Sequence, residues 1–369
     1  MPFKIRSARV HHFEAPVDRP VVTAFGRMES RHAVVLAVED DAGHTGLGES
    51  WINFPTWAAY ERVVAFERAF LPYLRGREVD DPASFAAAMY RGFAGQAVQA
   101  GTVGPLLCAL AAVECALYDL AAQRAGVPLN RLLFKNPAAE VRVYASGISA
   151  PLPFDLIDEC LARGVTLYKL KLGFGDDADR ANLAALRKHL PADARIAVDV
   201  NRNWTLQQAL SWLDALAEAD AQWLEEPLRP QEERSLDSLW WRDKVPLAIG
   251  ENVLMGPDAD ALAGLPAQIL QPDITKYAFL STAVKLIGEA AKTGRRVIPH
   301  FLGSAPGQAA SIHLASGCPD VLVEWDINRN PLRTDLCEPP FDIRDGKIRI
   351  PQEAGLGWRI NAERFGGLK

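Results

Sequence analysis

The chain reads as an α/β protein: a β/α barrel preceded by an α+β segment. Three observations carry this reading. Eight short apolar runs follow one another after Pro137 at nearly even spacing. Stretches with helical periodicity stand between them. The part before Pro137 is strand-like and then alanine-rich and helical, without that rhythm. A strand, a helix and two short loops take roughly 25–30 residues, about the interval between successive runs.

Bulk properties narrow the class. A length of 369 residues suits two to three domains of about 150 residues each. Such a chain buries a core without disulfide staples. Lys and Arg total 40 against 46 Asp and Glu, a net charge of -6. That excludes nucleic-acid binding by bulk charge, which needs a clustered basic surface. The hydrophobic share is 49% and the charged share 23%, so disorder is excluded as the main state. Charged and polar residues at the start, rather than an apolar run, predict no secretory leader. The 5 cysteines contain no CxxC pair, which predicts reduced, structural thiols in a cytoplasmic protein.

Taken in order, residues 34–39 and 45–49 read as strands joined by the turn Asp40-Asp41-Ala42-Gly43. From Thr56 to about Arg124 the pattern is helical, with Pro82 and Pro105 near helix starts. Residues 103–122 are the most apolar stretch. They carry Glu114 and Asp119 and so read as a buried helix, not a membrane span. The expected barrel strands are 141–148, 166–173, 195–201, 222–227, 247–252, 267–274, 295–300 and 321–326. Residues 179–189, 206–219 and 281–293 fit amphipathic helices. No comparable helix is expected after the eighth run, where Pro331, Pro339 and Pro340 interrupt. The final stretch to Lys369 is expected to pack back on the N-terminal segment. A doubly wound open sheet shares the alternation, but eight even units favour closure. No GxGxxG follows the first strand and no GxxxxGK[ST] occurs, so a nucleotide-phosphate cradle is not expected.

A barrel's active site lies at the carboxyl ends of its strands, and here those ends carry ionisable residues. The second run ends Lys169-Leu170-Lys171 and the third Asp199-Val200-Asn201. The fourth ends Glu225-Glu226-Pro227. Glu251, Asp273, His300 and Glu324 stand in the next four. Strand alternation puts Lys169 and Lys171 on one face, and likewise Asp199 and Asn201. Asp199, Glu225 and Glu251 come from consecutive strands at equal spacing. Three converging carboxylates repel unless a cation lies between them, and oxygen-only ligands suit Mg²⁺. Two ammonium groups on one inward face are expected to depress each other's pKa, which makes a lysine a usable base. Asp273, one strand before His300, is expected to orient the imidazole. Together these groups suit removal of a proton α to a carboxylate, with the enediolate's charge stabilised by cations.

At these residues the chain resembles the enolase superfamily, in its mandelate racemase subgroup. The motifs are Tyr168-Lys169-Leu170-Lys171-Leu172-Gly173, Asp199-Val200-Asn201, Trp223-Leu224-Glu225-Glu226-Pro227, Gly250-Glu251-Asn252, Gln271-Pro272-Asp273 and Ile298-Pro299-His300. The resemblance implies a modified (β/α)7β TIM-type barrel over residues 136–330. It also implies an α+β N-terminal capping domain over 1–135, completed by 331–369. It implies that Asp199, Glu225 and Glu251 hold Mg²⁺ and that Lys171 is the base on one face of the α-carbon. Lys169 is similar to the lysine that contacts the substrate carboxylate. His300, oriented by Asp273, resembles the acid/base of the opposite face. Glu324 matches a strand-eight acid that bonds the substrate carboxylate, and Asn201 is placed to touch substrate. Residues 17–28 and 51–57 are the expected specificity loops. The muconate-cycloisomerase branch carries a lysine where Asp273 stands, and Lys276, three residues on, does not fill that position. Many relatives carry Gly-Gly where this chain has Ala278-Phe279, which alters that side of the pocket. The expected reaction is dehydration of a sugar acid to a 2-keto acid by a Mg²⁺-dependent hydro-lyase. Racemisation or epimerisation of a 2-hydroxy acid by the same two bases is the alternative, and a noncatalytic binding barrel the distant one. The expected partner is a small carboxylate, with no nucleic acid and no membrane, and a homo-oligomer is expected.

Overall fold

The structure is a computed structural model and describes residues 2–23, 26–237, 244–361 and 365. It opens on two long antiparallel strands, β1 (Phe3–Thr23) and β2 (Gly26–Asp40), with β3 (Thr45–Ser50) paired to β2. Between β2 and β3 the chain turns on Asp40, whose carboxylate accepts from the amides of Ala42 and His44 at 2.9 and 2.8 Å. An Asp side chain that bonds its own turn is the usual reason an acid stands there. β2 is buried on both faces. Val34, Leu36 and Val38 enter the core beneath the capping helices, whereas Ala33 and Val35 join the core shared with the barrel. Period-two alternation assigns the two sets.

Helices α1 (Ala59–Ala65) and α3 (Val103–Ala125) lie on this sheet, and α2 (Pro82–Ala100) packs on α3. Asp81 caps α2 through the Ser84 amide at 2.8 Å, and Pro82 occupies its first turn, both favourable at a helix start. α3 is apolar all round, as a helix enclosed by protein must be. Its two acids bond to other elements. Glu114 accepts from the Ser281 amide at 3.1 Å and from its hydroxyl at 2.5 Å. Asp119 accepts from the amides of Leu47 and Leu356 at 3.0 and 2.9 Å. Gly48 lets β3 lie directly on α3, because a Cβ there would sit 1.9 Å from the Ala112 carbonyl oxygen. All five cysteines are buried and free.

Burial pushes the Glu114 carboxyl up to about 7. Its folded pKa therefore lies above its unfolded value, so the associated stability is present at low pH and lost as pH rises through 7. The melting temperature is expected to drop between pH 5 and pH 8. In Glu114→Gln that slope should flatten by an amount on the order of 3 kcal/mol. An unchanged slope would sink the assignment.

The barrel strands are β4 (Glu140–Ile148), β5 (Leu167–Lys171), β6 (Arg195–Asp199), β7 (Leu224–Glu225), β8 (Leu247–Ile249), β9 (Ile269–Leu270), β10 (Arg296–Val297) and β11 (Leu322–Asp326). From β4 to β10 each pairs in parallel with the next, and β11 pairs in parallel with β4. Helices α4 (Phe154–Ala162), α5 (Asp176–His189), α6 (Leu206–Glu218), α7 (Leu280–Lys292) and α8 (Ala305–Ala315) lie between strands. Among the described residues the four-residue Pro331–Thr334 is the only α-helix after β11, so the chain is an α/β barrel behind an N-terminal cap. Several strands are shorter than the apolar runs because the chain leaves the ladder where the functional residues begin. Downstream, Lys347–Arg349 pairs antiparallel with β4, and Gly355 bridges Pro128.

Candidate active site

The residues singled out by sequence gather at the carboxyl ends of the barrel strands. Lys169 and Lys171 lie in β5, Asp199 ends β6, Glu225 ends β7 and Glu324 lies in β11. Asn201, Glu251, Asp273 and His300 stand in the loops just after β6, β8, β9 and β10. Parallel register places Lys171 opposite Asp199, and Asp199 opposite Glu225. The backbone then turns sharply. Asn201, Arg202 and Glu226 take positive φ of 47°, 60° and 41°, which costs a non-glycine residue about 1 kcal/mol or more. Side-chain bonds hold the turns: the Asn201 amide to Asp199 Oδ1 at 2.8 Å, and Asn252 Nδ2 to Glu226 Oε2 at 2.9 Å.

Lys169 stands at the centre. Its Nζ donates to Glu225 Oε1 at 2.5 Å, meets Glu324 Oε1 at 2.8 Å and lies 3.9 Å from Asp199 Oδ2. Acids from three strands therefore face one point. Lys171 Nζ donates to Asp199 Oδ2 at 2.9 Å and Asn201 Oδ1 at 2.7 Å. The second oxygen of Glu225 accepts from Trp223 and Gln271 at 3.0 and 2.7 Å. Across the mouth, His300 Nδ1 lies 2.8 Å from Asp273 Oδ2. Its Nε2 is 2.5 Å from Glu251 Oε2 and 3.9 Å from Glu324 Oε2. The other oxygen of Asp273 accepts from the Thr275 amide and hydroxyl at 2.8 and 2.6 Å.

Burial opposes every charge here, and the partners decide the direction. Burial disfavours the Lys169 ammonium, yet Glu225 and Glu324 hold it well above the ordinary lysine value. Burial also works against the charge on Lys171, but Asp199 raises it. The expectation of a lysine depressed toward neutrality is thus overturned. Lys169 does pull Lys171 down, and the surrounding carboxylates outweigh it. Burial lowers His300, whereas Glu251 and Glu324 lift it well above its usual value. Glu225 is pushed up to about 7 by burial, against the pull of Lys169. Glu324 is drawn down to about 2 because Lys169 and His300 overcome its burial.

Among the described residues no three His, Cys, Asp or Glu side chains already form a metal-binding group. Asp199, Glu225 and Glu251 are each engaged by a cationic side chain instead, Lys171, Lys169 and His300 respectively. The donor set still suits a hard dication. It offers only carboxylate oxygens, from successive strand ends, in a buried setting where their charges demand a cation.

A cavity of about 400 Å³ opens above these groups. Lys171, Asn201, Glu251 and His300 form its floor, and Trp51, Asn53, Phe54 and Pro55 reach over it from the segment after β3. Residues 51–57 thus lie where a specificity loop was expected. Where the second specificity loop was expected, residues 17–23 belong to β1 and 26–28 to β2, with residues 21–23 paired to 26–28. Gly26 packs on the Phe54 ring, while residues 24 and 25 lie outside the described residues. Lys169, Asp199, Glu225, Asp273 and Glu324 sit beneath the cavity, buried.

Sequence reasoning set Lys276 aside as not filling the Asp273 position and gave it no site role, yet it also lines the cavity. Its Nζ donates to Asn252 Oδ1 at 2.7 Å and lies 4.5 Å from the Trp51 ring centre. Asn252 in turn donates to Glu251 Oε1 at 2.7 Å. A turn, closed by the Lys276 amide on the Asp273 carbonyl at 3.2 Å, delivers this ammonium. Strand alternation could not reveal it.

Asp273→Asn keeps the side chain's size but leaves Nδ1 of the imidazole without its charged partner. Turnover is expected to fall by about 100-fold or more, with the melting temperature little changed. Near-normal turnover in that variant would reduce His300 to a substrate contact.

Known proteins resemble this chain over nearly its whole length. Residues 155–364 match the enolase C-terminal domain-like family, and residues 5–133 match the N-terminal domain of the mandelate racemase/muconate lactonizing enzyme family. The chain is 28% identical over 377 residues to a D-galactarolactone cycloisomerase of Agrobacterium fabrum, covering 98% of this chain and 97% of that one. It is 26% identical over 353 residues to an L-talarate/galactarate dehydratase of Salmonella typhimurium, covering 94% and 85%. A solved mandelate racemase/muconate lactonizing enzyme from Bordetella bronchiseptica RB50 matches it with a TM-score of 0.87 at 34% identity, over 98% of this chain and 99% of that one.

Proposed function

The chain belongs to the enolase superfamily, in its mandelate racemase/muconate lactonizing group, and from that membership we propose that it dehydrates a sugar acid to a 2-keto acid. The observation that carries this reading is the pair Lys171 and His300 lining one cavity, with Asp273 behind the imidazole. The similarity to an L-talarate/galactarate dehydratase supports the choice of reaction.

Asp199, Glu225 and Glu251 would hold Mg²⁺, on which the superfamily generally depends. Bound there, the dication supplies a Lewis acid that neutralises charge growing on the substrate carboxylate. Lys169 presents an ammonium beside that carboxylate, and Glu324 holds Lys169 in place at 2.8 Å. Were Asp199 engaged by that dication, it would no longer hold the Lys171 proton, and Lys171 would serve as the base. Its Nζ takes the α-proton, and the C–H electron pair enters the enediolate. Asn201, 2.7 Å from Nζ, orients the amine. His300, its Nδ1 fixed by Asp273, gives the Nε2 proton to the β-hydroxyl. That C–O bond breaks, water leaves, and the enol tautomerises to the 2-keto acid.

A panel of aldonic acids, aldaric acids, their lactones and simple 2-hydroxy acids, incubated with Mg²⁺, tests the reading. Formation of a 2-keto acid supports it. A change of optical rotation without a keto product moves the reading to a racemase or epimerase using the same two bases. Consumption of a lactone without loss of water moves it to a cycloisomerase.

A further inference from the structure

The segment Glu49–Trp51 leaves the cap at the end of β3 and enters between the loops that follow β9 and β10. Those loops carry Asp273 and His300. On the His300 side, the Glu49 carboxylate accepts from the Ser304 amide at 2.7 Å, the Ser304 hydroxyl at 2.7 Å and the Gly307 amide at 2.9 Å. On the Asp273 side, the Trp51 amide donates to the Thr275 carbonyl at 2.8 Å. The amide and hydroxyl of that same Thr275 hold Asp273 Oδ1. Both halves of the dyad are therefore tied to three consecutive residues of the cap.

The fit around Glu49 is tight. A Cβ on Gly303 would lie 2.5 Å from Glu49 Oε1. One on Gly307 would lie 2.8 Å from Glu49 Oε2 and 2.8 Å from Thr275 Cγ2. Two glycines keep open the slot that the carboxylate fills, and the slot ends on the residue that holds Asp273. Phe301 completes it. Its ring would meet both of those Cβ positions, while its amide donates to Glu324 Oε2 at 3.2 Å. Glu49 is 1% exposed, and among the described residues only neutral donors bond it. A buried carboxylate without a cation is costly, and burial pushes this one up to about 7. Helix capping alone needs no such residue, because a serine or asparagine at the helix start does that work.

We propose that Glu49 is a positioning residue for the acid/base dyad: its carboxylate locks residues 301–304, so that the capping domain sets the aim of the His300 imidazole against Asp273. The assignment rests on the reading of His300 as an acid/base. The β3 end then does more than roof the cavity. It holds His300 Nε2 toward the cavity, while Lys171, on β5 at the other side, has no such tie.

The test uses the full-length protein with Mg²⁺ and histidine labelled with ¹⁵N in the ring. Loss of one resonance in His300→Asn assigns the His300 signal. In Glu49→Gln one carboxylate oxygen becomes an NH₂ that faces one or two of the three donors, and the solvent exchange of the His300 Nδ1 proton is expected to accelerate at least tenfold. The signal of His313, buried elsewhere and bonded to the Leu356 carbonyl at 3.0 Å, should not move. Ser304→Ala removes a single donor and should act in the same direction by a few fold, which keeps the test open if Glu49→Gln folds poorly. On the acid that turns over in the panel, kcat should fall 10- to 100-fold in Glu49→Gln, with KM within threefold. An unmoved His300 signal in both variants, with only the melting temperature lowered, would overturn the proposal and make Glu49 a strut. A loosened dyad with undiminished kcat would uphold the positioning role and overturn the catalytic role of His300 instead.

Discussion

His300→Asn and Lys171→Ala are each expected to lower net turnover by about 10²–10⁴-fold, the usual contribution of a general acid or base, while each variant keeps proton exchange on one face of the α-carbon. Lys171 ends β5 and His300 follows β10, with the strands of Asp199, Glu225 and Glu251 between them along one side of the mouth. A substrate carboxylate held among those acids would present one face of its α-carbon to each base. In D₂O, His300→Asn should still exchange the proton facing Lys171, and Lys171→Ala only the proton facing His300. Dehydration needs an acid and a base together, so product formation should fail in both. Loss of all exchange in each variant, with metal and substrate still bound, would sink the two-face arrangement. Retained turnover without Lys171 would leave His300 as the sole base.

Chelation should abolish activity, and Mg²⁺ should restore it. The reason is electrostatic. Asp199, Glu225 and Glu251 are buried, Asp199 and Glu324 both act on Glu225, and an enediolate adds further negative charge to the same space. A second readout does not depend on turnover. A ligand that binds only the folded protein at 100 times its Kd stabilises it by about 2.7 kcal/mol. Millimolar Mg²⁺ should therefore raise the melting temperature of the wild-type protein, and should not do so in Glu225→Gln. Glu225 is the informative position because burial already pushes its carboxyl up to about 7, and a dication would return it to the ionised form. A Mg²⁺-independent melting temperature in the wild-type protein would remove the metal from the mechanism.

Much of the site was legible because the barrel repeats one unit. Each β/α unit puts its strand's carboxyl end on the same face of the molecule, and alternation tells which side chains point inward. Even spacing of the apolar runs therefore sufficed to bring Lys169, Asp199, Glu225, Glu251, Asp273, His300 and Glu324 to one mouth. α3 was legible from composition, since a helix apolar on all sides has to be enclosed.

Other features depended on distances that no local pattern encodes. The two lysines looked like a mutually depressed pair because strand alternation shows only their own strand. The carboxylates that reverse the sign reach them from β6, β7 and β11. Lys276 arrives at the cavity on a turn, out of phase with the strand before it, and closes against Trp51 from the cap. Glu49 meets Ser304 across 255 positions of sequence, in a slot that two glycines and the Thr275 side chain leave just wide enough for a carboxylate. Sequence alone determined which chemical groups the strand ends carry, because strand period and unit length are local properties. Tertiary structure alone decided which charge each group holds and what aims it, because barrel curvature and the docking of the cap set the contacts that fix both.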